Sequence, residues 1–344
     1  MRKILLLLFI TVSLSAQMYS QKEYRIENFS EQYYGRVYVE NPDIDSEIMI
    51  VKIFDKHTQR LLVETQIEAD MSYEIGEGDE IESNVFEAPY GKQSLVICDD
   101  FNCDGTDDIA IKIGNYSCYG GPAFDIYVNR AGILEKDDIL SGLAQEYCGM
   151  FEYDCASKEI NVMTKSGCCF HIYETYTIAQ GKPELRKRVE ANGLSYFPVV
   201  TITEMKEGKE IVFEKPYWEA MSEEEALFQF KLQNSEKSVV LFLRNEYLLY
   251  VFLDKDENIE FMYSRDADQD TSKFQLSEKG NRKELTFNNA SAKYTIYESD
   301  ESIGIEVYTN KKLYNMKGDL ESKIGSLSNL KNKEVLNLTG GVSE

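Results

Sequence analysis

The sequence predicts an all-β protein. Three features point there. Apolar and polar residues alternate with period two along much of the chain. Tyr and Phe are abundant (23 and 17) while proline is scarce (6). The alternating runs recur at short, regular intervals separated by turn residues, and helical periodicity is scarce. The second β-rich block, residues 217–344, carries the strand spacing of a sandwich or barrel.

The elements follow in order. Residues 34–40 read as a strand, and 47–54 with 60–67 as a hairpin around Asp55-Lys56-His57-Thr58. Residues 94–98 lead into an acidic loop and 108–113 lead out of it; 124–129 form a further strand. Residues 149–153, 159–164, 170–178 and 184–190 read as a meander with turns at Ser157-Lys158, Ser166-Gly167 and Gly181-Lys182, and 199–204 with 210–213 as a last hairpin around Gly208. Charge then rises, and Met221-Ser222-Glu223-Glu224-Glu225 reads as a linker or short helix. Beyond it Phe228, Phe230 and Leu232 alternate with Gln229 and Lys231, followed by strands at 239–243, 248–253, 259–263, 284–288, 294–297 and 305–308. Leu320, Ile324, Leu327 and Leu330 recur at helical spacing, which predicts one short C-terminal helix. The cysteines stop before the second block, so a domain boundary is expected near residue 217.

Composition bounds the functions. A formal charge of -23 argues against nucleic acid and acidic membrane surfaces as partners. Met1-Arg2-Lys3 precedes an apolar run over 4–14, the pattern of a signal peptide spanning 1–16, with cleavage expected after Ser15 or Ala16. No cysteine ends that run, so no lipid anchor is expected, and the mature chain is expected to be periplasmic or extracellular. Seven cysteines lie between Cys98 and Cys169. In an exported protein they read as disulfides, and an odd number leaves at least one thiol unpaired or intermolecular. The preferred pairing joins Cys103 to Cys118. With no C-x-x-C pair and only His57 and His171, a zinc cluster is disfavoured.

Residues 100–108, D-F-N-C-D-G-T-D-D, carry the most specific signal. Oxygen side chains fall at positions 1, 3, 5 and 9 and glycine at position 6, the spacing of a calcium loop. Asp100, Asn102, Asp104 and Asp108 are the expected side-chain ligands of Ca2+, with Thr106 supplying a backbone carbonyl. Position 12 is Ile111 rather than Glu, and 109–113 is a β-branched strand, so a calcium clip in a β-protein is expected instead of a helical sensor. Asp254, Asp256 and Asn258 alternate without the glycine and read as a hairpin turn. Asp266, Asp268 and Asp270 read as a polar loop. Asn115 to Pro122 follow the clipped strand, and Gly120-Gly121-Pro122 shapes a loop carrying tyrosines suited to partner contact; calcium is expected to order this neighbouring loop.

The stretch from Ile97 to Ile111, followed by Tyr119-Gly120-Gly121-Pro122-Ala123-Phe124-Asp125-Ile126-Tyr127, resembles exported bacterial proteins in which a D-F-N-x-D-G-x-x-D-I loop precedes a Gly-rich Tyr loop. The loop itself is similar to those of FG-GAP (integrin-type) propeller repeats. The resemblance covers roughly residues 30–190 and implies a propeller-like or irregular β-sheet domain with one calcium loop over 22–216. Some proteins of this type are propeller-like periplasmic inhibitors of peptidoglycan hydrolases, including lysozymes, which insert a tyrosine-bearing loop into the enzyme's cleft. The resemblance implies Asp100, Asn102, Asp104, Thr106 and Asp108 as calcium ligands, and leaves Tyr116, Tyr119 and Tyr127 as candidates for the partner-binding tyrosine. A protein partner, a cell-wall hydrolase, is therefore expected.

No G-x-S-x-G, H-E-x-x-H or P-loop occurs, and two histidines offer little acid–base chemistry. No catalytic residue is assigned, and a non-enzymatic protein is expected. The competing class is an envelope glycan-binding module, with Trp218 and tyrosines stacking on sugar, or a carboxylate-dependent glycosidase.

Overall fold

The computed structural model describes residues 22–39, 47–69, 81, 83–85, 93–195, 197–221, 226–264 and 273–340. The expected signal peptide, the expected polar loop at 266–270 and residues 222–225 of the expected linker lie outside these residues. The chain divides into two compact units, Met1–Cys155 and Ala156–Glu344. The boundary expected near 217 falls inside the second.

The first unit holds two four-stranded antiparallel meanders. One comprises β1 (Lys22–Ile26), β2 (Tyr33–Val39), β3 (Glu47–Asp55) and β4 (Leu61–Ala69). The other comprises β5 (Val96–Asp99), β6 (Asp108–Ser117), β7 (Gly121–Arg130) and β8 (Ile133–Lys136). Alternate residues of each meet in one core: Val37, Val39, Met49, Val51 and Ile53 from the first sheet, Val96, Ile109, Ile111 and Tyr127 from the second. The β3–β4 turn is fixed by Asp55, whose Oδ1 accepts the His57 and Thr58 N–H groups at 2.9 and 2.6 Å. The sequence pattern did not reveal a six-residue helix, α1 (Asp138–Leu143). Asp137 caps it by accepting the Ile139 and Leu140 N–H groups. Helix α1 packs on β7, with Leu140, Leu143 and Ala144 all buried. A short strand, β9 (Glu152–Asp154), closes the unit.

The second unit opens with a meander, β10 (Glu159–Ser166), β11 (Phe170–Ala179), β12 (Lys182–Asn192), β13 (Val199–Lys206) and β14 (Lys209–Pro216). Next come β15 (Ala226–Lys231), β16 (Ser238–Arg244), β17 (Tyr247–Leu253) and β18 (Ile259–Tyr263), paired in sequence order. The third sheet runs through β19 (Phe274–Lys279), β20 (Arg282–Asn289), β21 (Ala292–Glu298), β22 (Ile303–Thr309) and β23 (Lys312–Lys317). Two-residue strands, β24 (Ile324–Gly325) and β25 (Leu338–Thr339), pair with β15 and β19. The second and third sheets share one core through Phe228, Phe230, Val239, Leu241, Leu285, Phe287, Ile296 and Ile305. Both sheets are open, and no barrel closes among the described residues.

Strands β16 and β17 are buried on both faces, which is why they read as near-continuous apolar runs. Val240, Phe242, Leu249, Val251 and Leu253 form a further core with Phe197 and Val199. That contact joins the segment before residue 217 to the sheets after it. The Asp254–Asn258 stretch (254–258) is the β17–β18 turn, with Asp254 Oδ1 accepting the Asp256 and Asn258 N–H groups at 2.8 Å each. The expected C-terminal helix does not form. Two 3-10 turns, Leu320–Ser322 and Leu327–Asn332, flank β24. Gly325 sits between them at φ +74, and a Cβ there would meet the Leu227 carbonyl oxygen at 2.0 Å. Extended pairing of β24 with β15 interrupts any helix there, and only Leu327 and Leu330 of the apolar series are buried.

Candidate metal loop and tyrosine tip

The acidic loop joins β5 to β6, whose ends pair as Asp99↔Asp108. Phe101 anchors it. The ring is fully buried and packs edge-on against Phe151 and Tyr153, centroids 6.1 and 5.5 Å away. Cys103 is bonded to Cys155, which ties the loop to the end of the unit.

The loop winds its backbone around its own acceptors. Asp100 accepts the Asp104 N–H at 3.0 Å and the Gly105 N–H at 2.9 Å. Asn102 Oδ1 also accepts the Asp104 N–H, at 2.9 Å, while its amide donates to Asp104 Oδ2. Asp104 Oδ1 accepts the Thr106 N–H and hydroxyl. Gly105 adopts φ +91, a conformation that glycine takes without strain.

Asp108 is fully buried. It accepts the Phe101 N–H at 3.1 Å and the Asn129 N–H at 2.8 Å, so it clamps the loop to β7. Burial pushes its carboxyl up to about 7; the Asn129 N–H opposes this, while the charges of Asp104 and Asp100 add to it. Burial raises the Asp104 carboxyl, but bonds from the Thr106 hydroxyl, the Asn102 amide and the Thr106 N–H, with the charge of Arg130, together outweigh it and hold the group below the usual carboxylate range. Asn129 also donates through Nδ2 to the Tyr33 hydroxyl at 2.9 Å. Sequence reading missed Asn129 and Cys155, since neither lies near the motif.

Asp100, Asp104 and Asp108 make no ion pair among the described residues. Three hard oxygen anions within nine residues, one of them buried, suit a divalent cation in donor chemistry. Among the described residues no three Asp, Glu, His or Cys side chains already converge as a metal cluster, so holding an ion requires local side-chain rearrangement. The twelfth position, Ile111, is buried in the core and supplies no ligand.

The tyrosine tip joins β6 to β7 through a 3-10 turn at Cys118–Gly120. Tyr119 is 66 % exposed, with φ 57. Tyr116 is also exposed, and its hydroxyl donates to Glu68 Oε2 at 2.6 Å. Its ring lies over Gly114, where a Cβ would meet it at 2.3 Å. Tyr127 is buried in the core facing β1–β4, so it is unavailable to a partner. The expected ordering of this tip by a neighbouring ion is also corrected. Loop and tip lie at opposite ends of ten-residue β6, a span of about 30 Å in an extended strand. A disulfide between Cys118 and Cys148 holds the tip instead.

The expected Cys103–Cys118 pairing is thus replaced by Cys103–Cys155 and Cys118–Cys148, for the same geometric reason. Cys168 pairs with its neighbour Cys169, and Cys98 remains free. Burial pushes the Cys98 thiol up to about 12. No helix among the described residues is long and apolar enough to cross a membrane.

No family model matches the chain, and no curated protein matches it significantly. Among solved structures, a Xanthomonas protein related to a type IV secretion system is similar over 57 % of this chain and 95 % of its own, at 17 % identity and TM-score 0.43. The β-propeller domain of the Trilobed protease from Pyrococcus furiosus is similar over 84 % of this chain and 93 % of its own, at 12 % identity and TM-score 0.20. Likenesses this weak carry no argument about activity. The chain is all-β, built of open antiparallel meanders, and its structural neighbours include propeller domains.

Proposed function

We propose that the chain is an exported, non-enzymatic β-protein that binds calcium at Asp100–Asp108 (100–108) and recognises a macromolecular partner through the Tyr116–Tyr119 tip (116–119). The observation that carries the calcium reading is the fully buried Asp108 carboxylate, which sits on a loop with Asp100 and Asp104 and has no cation among the described residues. Asp100, Asn102, Asp104 and Asp108 would hold the ion through side-chain oxygens, and Thr106 through its carbonyl. Bound calcium neutralises the carboxylates and stabilises the folded state by mass action. Export is supported by the three disulfides.

The finer reading of the tip, by resemblance, is inhibition of a peptidoglycan hydrolase. Exposure of Tyr119 on a disulfide-held turn supports it. A thermal-shift titration with calcium tests the metal. The melting temperature rises in the wild type and stays flat in Asp104→Ala; a flat wild-type response removes the metal. Inhibition assays against muramidases test the tip, with Tyr119→Ala as the losing variant. Absence of inhibition by the wild type removes the hydrolase reading and leaves the metal standing.

A further inference from the structure

The second unit carries a groove unrelated to the acidic loop. It opens where the double-faced sheet β15–β18 runs out of cover. Toward one end, Phe197 and Val199 pack over Phe242 and Val251. Toward β24, the same face is open and leaves a cleft of about 550 Å3, within the roughly 300–1,000 Å3 range of small-ligand sites. Val240, Leu253 and Ile324 supply its apolar lining, and Trp218 forms a wall.

Trp218 is fixed in place. Its 3-10 turn, Trp218–Ala220, is pinned by Arg244, whose Nη1 donates to the Ala220 carbonyl at 3.2 Å. Its ring packs on Phe242 with centroids 5.6 Å apart, and its Nε1 donates to Glu257 Oε2 at 3.3 Å. The indole is still 36 % exposed. Gln229, Lys231, Ser238 and Glu321 also line the cleft, and among the described residues their side-chain polar groups have no hydrogen-bond or ion-pair partner. Gln229 and Ser238 are half-buried, while Lys231 and Glu321 stand exposed at the rim.

We infer that this groove binds a carbohydrate. A pyranose has a C–H face that packs on an indole and a rim of hydroxyls that both donate and accept. The lining matches that mixture: carboxylates accept, Lys231 donates, and Gln229 and Ser238 do both. A cation would face Lys231, an anion would face Glu257 and Glu321, and a wholly apolar ligand would strand the polar rim. The inference is independent of the calcium reading, because every lining residue belongs to the second unit.

Trp218 is the chain's only tryptophan, so its fluorescence reports on this groove and on the adjoining cleft that it also lines with Met221 and Phe242, and the Glu321 variant, outside that second cleft, tells the two apart. The full chain is titrated with maltotriose, cellotriose and tri-N-acetylchitotriose, and with tetramethylammonium chloride as a cationic comparison. At least one sugar produces a saturable change with Kd of about 1 mM or tighter. By calorimetry, Gln229→Ala and Glu321→Gln each weaken that binding at least about threefold, and together about tenfold, with unchanged melting temperatures. No saturable response to any of the three sugars, full-strength binding in the double variant, or saturation by tetramethylammonium alone overturns the inference.

Discussion

Glu298 shows how single residues here turn charge into stability. Its side chain is 5 % exposed, at the end of β21, and accepts bonds of 2.8 Å each from the Lys323 ammonium, the Ser326 hydroxyl and the Leu327 N–H. Burial alone would raise its carboxyl, but these three donors outweigh burial and hold it below the ordinary glutamate range. A depressed carboxyl stabilises the fold above its unfolded-state value, and that contribution is lost as pH falls through the folded value. Urea unfolding of Glu298→Gln at neutral pH should show a loss of about 1–3 kcal/mol. The gap from wild type should close as the pH drops below about 4. A constant gap across that range would exclude ionisation of Glu298 as its source. Asp108 is buried too, yet no Lys or Arg pairs with it, which is why burial raises its carboxyl.

Among the elements, β6 is the one that organises the first unit. Its first residue clamps the acidic loop, its Ile109 and Ile111 fill the core, and its last residues lead to the tyrosine tip. Two disulfides fasten its two ends separately, with sequence separations of 52 and 30. The double variant Cys103→Ser with Cys155→Ser should lose up to about 4 kcal/mol by the chain-entropy account, and calcium should stabilise it less than the wild type. Cys118→Ser with Cys148→Ser should leave the calcium response intact while loosening the tip, as read by amide exchange at residues 116–120. If both pairs of substitutions weaken the calcium response equally, the two ends of β6 are not independent.

What the sequence made legible at this scale were strands with one wet face, such as β3 and β4, and the acidic loop with its glycine, because local chemistry sets both. It did not reveal β1, β8, β19, β23 or the α1 helix. Helix α1 has six residues, too few for a period to register, and packing on β7 holds it. The series Leu320, Ile324, Leu327 and Leu330 suggested a helix, but Ile324 and Gly325 pair as a strand with Gln229 and Phe228, distant residues that no local pattern reveals. Disulfide partners and Asn129 were illegible for the same reason.

At the scale of the whole molecule, the division at Cys155 follows from where apolar faces find cover. Val240, Phe242, Leu249, Val251 and Leu253 require Phe197 and Val199. A fragment of residues 217–344 should therefore expose that face, bind hydrophobic dyes and aggregate, whereas residues 156–344 should unfold cooperatively as a monomer in size-exclusion and urea experiments. Equal behaviour of the two fragments would restore a boundary at 217. The net charge of -23 acts on the entire molecule as self-repulsion, which the proposed divalent cation would relieve locally at the loop. Isothermal titration of calcium into metal-free protein reads out whether this loop takes up the ion. One site per chain is expected, abolished in Asp108→Asn and retained in Tyr119→Ala. No heat of binding in the wild type, or unchanged binding in Asp108→Asn, would contradict it.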